Sequence, residues 1–89
     1  MMSEDIEVRR RRAVWRAGHR GTKELDILVG RFADAHLGTM DDSELARFEA
    51  FLALSEPQLQ AWLLAPEAAS AEGEFAEIVT AIRKFHGLG

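Results

Sequence analysis

A chain of 89 residues with a net charge of −4 and 47% hydrophobic residues can build one small core, and is too apolar for a disordered segment. The absence of cysteine excludes disulfides, thiolate metal sites and thiol catalysis. No apolar run approaches the roughly 20 residues a membrane helix needs, and "MMSEDIEVRRRR" places acids ahead of its arginines, unlike a secretory or organellar leader. We expect a cytoplasmic protein with no direct membrane insertion.

Helical spacing recurs along the chain, and no stretch alternates apolar and polar residues long enough for a half-buried strand. The expected fold is all-α, a five-helix bundle in a single domain over 1–89, with 1–3 and 87–89 frayed and 65–73 a mobile loop. The first helix is expected over about 4–17, with Ser3 as N-cap and Gly18 as terminator. Three stripes compete on it: Ile6/Ala13/Ala17, Val8/Trp15, and Arg9/Arg12/Arg16, which Arg20 extends. Either Trp15 or the small stripe meets the core. We favour the small stripe, packed on the second helix, with Trp15 exposed beside the arginines as in an interface hot spot.

The second helix is expected over about 23–36, capped by Thr22, with Leu25, Leu28, Val29 and Phe32 as its buried stripe. Asp41 and Glu44 of "DDSE" have capping-box spacing and open a third helix whose inward face carries Leu45, Phe48, Phe51, Leu52 and Leu54. Ser55, Pro57 and Gln58 open a fourth, anchored by Leu59, Trp62 and Leu63. After Pro66 and a small-residue loop, a fifth carries Phe75, Ile78, Val79 and Ile82 and ends at Gly87.

The charge is unevenly spread. Residues 1–31 hold eight Lys/Arg against five acids, and the remainder three against ten. Two readings are open: a partner surface at the basic end, or a basic helix neutralised by the domain's own acids.

Little argues for catalysis. His19, His36 and His86 lie far apart with no H-E-x-x-H pattern, and no serine sits in G-x-S-x-G. "GHRG" has the G-x-x-G form of a KH loop, but a KH domain needs a sheet. A recognition helix would need polar base readers, whereas the second helix offers acids that repel phosphate. We expect no nucleic-acid partner, no metal and no stably bound cofactor.

The charge-dense "HRGTKELD", His19 to Asp26, is the most distinctive stretch. Arg20 precedes the second helix, Gly21 gives the backbone freedom to reverse, and Glu24 lies in the first turn beside the buried stripe. An Arg20–Glu24 pair bracing the turn would stabilise by only about 0–1 kcal/mol if exposed. A docking surface offering a cation, an anion and a close-approach glycine accounts better for the charge density. Ile27, opposite the buried stripe, is either covered by another helix or part of that face.

At these residues the chain resembles the SdhE family of flavinylation factors, also known by the antitoxin name CptB. The motif is R-G-x-x-E, here Arg20-Gly21-Thr22-Lys23-Glu24, with Trp15 before it, Phe32 after it, then "DDSE" with Phe48 and "LALSEPQLQAWL". The resemblance spans about 9–86 and implies a factor, not an enzyme, that promotes covalent attachment of FAD to the flavoprotein subunit of succinate dehydrogenase and, in some bacteria, of fumarate reductase. FAD would be the client's cofactor. The implied partner-binding residues are Arg20, Gly21 and Glu24, with Arg12, Trp15 and His19 as neighbours. We expect a monomer when the domain is free. Many members carry a basic residue where this chain has His19, which can make that contact pH-dependent. The alternatives are an antitoxin-like or cytoskeleton-interacting adaptor on the same surface, and a nucleic-acid binder using Arg9 to Arg12.

Overall fold

Asp5, not Ser3, caps the first helix. Its carboxylate accepts the Glu7 amide at 3.0 Å, so α1 spans Ile6–Ala17 and starts two residues later than expected. The computed structural model describes residues 5–65, 71 and 73–88. Three of the other helices begin where the sequence puts their caps. Thr22 accepts from the Leu25 amide and starts α2 (Lys23–His36). A 3₁₀ turn (Leu37–Thr39) follows. The capping box is reciprocal: Asp41 accepts from the Glu44 amide at 2.8 Å, and Glu44 from the Asp41 amide at 2.9 Å, opening α3 (Asp42–Leu52). Ser55 accepts from the Gln58 amide and starts α4 (Glu56–Leu64), with Pro57 in its first turn. A second 3₁₀ turn (Gly73–Phe75) leads into α5 (Ala76–Phe85). Among the described residues there are five α-helices and no strand, the all-α bundle read from the sequence. The loop expected over 65–73 and the fraying expected at 1–3 lie largely outside the described residues.

The core is built from the expected stripes. Leu25, Val29 and Phe32 of α2 meet Leu45, Phe48, Phe51 and Leu52 of α3, Leu59 and Leu63 of α4, and Val79 and Ile82 of α5, all buried. Leu28 and Trp62 are only partly buried, and Ala33 and Leu37 complete the centre. α1 packs on both α2 and α3. Its small stripe faces inward: Ala13 and Ala17 are buried and Ile6 is half-buried, while Trp15 keeps 62% of its surface in water. Small residues let two helices approach closely, and a buried indole there would hold them apart.

Arg9 is one of the domain's own ties. Its guanidinium spans from α1 to α3, reaching Glu49 at 2.7 and 3.3 Å and Asp42 at 2.5 Å. These bonds, to Glu49 first and then Asp42, raise its pKa above the already high arginine value. Arg10 donates to Glu7 at 2.7 Å and to the Met40 carbonyl at 2.6 Å. Self-neutralisation therefore describes part of the basic third. Arg11 and Arg16 are exposed and have no partner among the described residues.

Candidate functional site

The junction between α1 and α2 sorts the charges of "HRGTKELD" into two sets. The inward set is anchored by Arg20, whose side chain is only 12% exposed. Its two terminal nitrogens donate to the carbonyls of Leu52 and Leu54, the latter at 3.0 Å, at the open C-terminal end of α3. A cation there satisfies carbonyls that have no helical amide and meets the negative end of the helix dipole. Arg20 Nε faces Glu56 Oε1 of α4 at 3.7 Å. The alternative of an Arg20–Glu24 pair bracing the turn is not realised, because Arg20 is taken up across the bundle by α3 and Glu56.

Asp26 holds the turn from the other side. Its Oδ1 accepts the backbone amides of Arg20 at 2.5 Å and Gly21 at 3.3 Å. Gly21 between them has φ +115°, a conformation that penalises a Cβ. A Cβ on Gly21 would also lie 2.9 Å from Glu56 Oε2. The close approach inferred for this glycine is thus occupied by the domain's own carboxylate.

The outward set is His19 and Glu24, joined by Trp15 from the last turn of α1. The imidazole of His19 lies flat on the Trp15 indole, with ring centroids 4.0 Å apart and planes 11° apart. His19 Nδ1 lies 2.6 Å from the Trp15 carbonyl, which can only accept, so that nitrogen carries the proton. Both rings are exposed. Glu24 is exposed in the first turn of α2 and has no partner among the described residues. Lys23 and Ile27, the latter 37% exposed, extend that face of α2, so Ile27 is not covered by another helix. Arg12 is exposed on α1, one turn before Trp15.

An open groove of about 580 Å³ runs beside the stacked rings between α1 and the end of α2. Arg11, Val14, Trp15 and His19 form one wall, and Asp34 and Leu37 belong to the other. Sequence reasoning placed Arg11 only in the Arg9 to Arg12 run of the nucleic-acid alternative and Asp34 only among the acids of the second helix, and it did not single out Val14. The signal for the first was present, since Arg11 lies four residues before Trp15 on one helical face. Among the described residues no group of His, Asp and Glu is arranged to hold a metal ion, and no helix is long and apolar enough to cross a membrane.

An all-helical domain that presents a stacked aromatic pair, unpaired charges and a shallow groove has the features of a protein-docking module. The family model described as the flavinator of succinate dehydrogenase, Sdh5, matches residues 11–86, and the chain belongs to that family. It is similar to the FAD assembly factor SdhE of Acetobacter pasteurianus, with 45% identity over 60 residues, 67% of this chain and 55% of that protein. The FAD assembly factor SdhE of Legionella pneumophila (strain Paris) is 35% identical over 72 residues, 81% of this chain and 87% of its own. The mitochondrial succinate dehydrogenase assembly factor 2 of Penicillium rubens is 30% identical over 61 residues, 68% of this chain and 20% of that protein. The chain thus spans about half the length of the Acetobacter relative and most of the Legionella one.

Proposed function

We propose that this domain is a cytoplasmic assembly factor that binds the flavoprotein subunit of succinate dehydrogenase, and of fumarate reductase where that is a client, and promotes covalent attachment of its FAD. The observation that carries this reading is the family match over 11–86, with the R-G-x-x-E stretch at an exposed junction. In this reading Trp15, His19 and Glu24 contact the client directly, with Arg12 beside them. Arg20 and Gly21 serve the same surface from beneath, because their polar atoms and close contacts are directed into the domain.

The factor contributes no reacting group. A binder shifts a client between conformations only as far as it binds one better than another. We take the preferred client state to be the one that holds the linking side chain and the flavin ring close and aligned, because orientation alone can supply a large share of a barrier. The test is deletion of this protein followed by in-gel fluorescence of covalently bound flavin on the client. Loss of the fluorescent band, restored by the intact chain, is the expected result. Unchanged flavinylation overturns the reading.

A further inference from the structure

We propose that Glu56, outside the R-G-x-x-E motif and on a different helix, is the positioning residue that sets the motif's geometry. The inference rests on the client-binding reading above and adds to it a residue on α4 that never contacts the client.

Arg20 is a nearly buried cation whose terminal nitrogens, among the described residues, meet only neutral carbonyls. A desolvated charge needs a counter-charge, and Glu56 supplies it at 3.7 Å. Arg20 Nε and Glu56 Oε1 are both shielded from water and neither makes a hydrogen bond among the described residues, so the contact is one of charge rather than of donor and acceptor. The other carboxylate oxygen, Oε2, occupies the space beside Gly21. One side chain therefore meets both inward residues of the motif. Without its charge, Arg20 is left uncompensated and turns toward water. The junction then loses its tie to the α3–α4 corner, with His19 on one side of it and Glu24 on the other.

Glu56 also sits in the first turn of α4, where any anion favours the helix dipole. The test must separate these roles. We would use the intact chain carrying Trp62→Phe, so that Trp15 is the remaining tryptophan, and compare Glu56→Gln, Glu56→Asp, Arg20→Gln and the Arg20→Gln/Glu56→Gln double variant well below their melting temperatures. The readouts are Trp15 emission and the Kd for the purified flavoprotein subunit. Glu56→Gln and Glu56→Asp should both raise Trp15 emission as the stack on His19 loosens, and both should weaken client binding by about tenfold or more. The double variant should be within about twofold of the worse single, as coupled residues are. The proposal is overturned if Glu56→Asp behaves as the parent, which assigns Glu56 to the helix dipole alone. Multiplying single effects in the double variant also overturn it. If the parent does not bind the flavoprotein, the functional reading fails, and the emission data still decide the position of Glu56.

Discussion

Gly18 and Gly30 bring the backbones of α1 and α2 into contact. A Cβ built on Gly30 would lie 2.9 Å from the Gly18 Cα and 3.6 Å from the Ala17 carbonyl oxygen. The two helices cross on glycine and alanine, with Ala13 and Ala17 buried along the same seam. This crossing sets the junction angle, since Gly18 ends α1 and the stacked His19 follows it directly.

Gly30→Ala tests the crossing. In an open helix the change would gain about 1 kcal/mol of propensity. Here the methyl meets backbone, which cannot rotate away, so overpacking should win and cost about 1–3 kcal/mol. For a domain of this size that lowers the melting temperature by about 5–20 °C. A circular dichroism melt at or above the parent's would show that α1 can slide without penalty.

The arginines of α1 should divide in their effects. Arg9→Ala removes a bidentate tie from α1 to Glu49 and a second contact to Asp42, so the melting temperature should fall. Arg16→Glu alters a side chain without a partner among the described residues, so the melt should stay close to the parent's. Its effect should appear in the rate of client association, and should shrink as salt screens the field. Stopped-flow binding at two ionic strengths, paired with melts, checks both. Equal melts for the two variants would contradict the division.

The local rules of the sequence carried much of the fold. Thr22, the Asp41/Glu44 box and Ser55 placed three helix starts, because a cap is decided within a few residues. Helical spacing picked out Leu25, Val29, Phe32, Leu45, Phe48 and Phe51 as core, and the small stripe of α1 left Trp15 exposed. Asp5 displaced Ser3 because both are good caps and the spacing alone does not rank them. The fate of Arg20 was not legible. Its partners are more than 30 residues away, and no periodicity reports which corner of a bundle a long side chain will reach. The sequence reading of Arg9, Arg12 and Arg16 as one stripe likewise could not tell that Arg9 meets α3.

Glu24 and Gly21 should separate function from folding. Glu24→Ala removes an exposed carboxylate with no partner among the described residues, so stability should move by no more than about 0.5 kcal/mol. Client flavinylation should fall markedly, since losing one side of a desolvated charge pair costs about 2–5 kcal/mol. Gly21→Ala should do the reverse in order. It forces a Cβ onto φ +115° and against Glu56, so stability falls by about 1–3 kcal/mol before any client is present. Melts together with covalent-flavin fluorescence give both quantities. A stable Glu24→Ala protein that supports full flavinylation would remove Glu24 from the client surface.

The two tryptophans offer the sharpest contrast, because one residue type sits in two environments. Trp62 is half-buried against Phe75, with ring centroids 5.9 Å apart, and packs on the core from α4. Trp62→Ala should cost about 2 kcal/mol of stability, below the range for a fully buried indole because part of its surface is already in water. Trp15 is 62% exposed, and its one ring contact among the described residues is His19, itself exposed. Trp15→Ala should leave the melt within a few degrees of the parent's. Its cost belongs to the complex. A large, rigid aromatic side chain that is wet when free and covered when bound contributes by desolvation, and truncating such an anchor costs about 2 kcal/mol or more, roughly thirtyfold in Kd. Trp15→Phe should recover part of that loss by keeping a ring for His19 to stack on, which an effect through folding would not explain. Titration of the flavoprotein subunit with the three variants, alongside their melts, makes the comparison. If Trp15→Ala melts early and Trp62→Ala does not, the core and the surface have been exchanged, and the docking face must be sought on α4 and α5 instead.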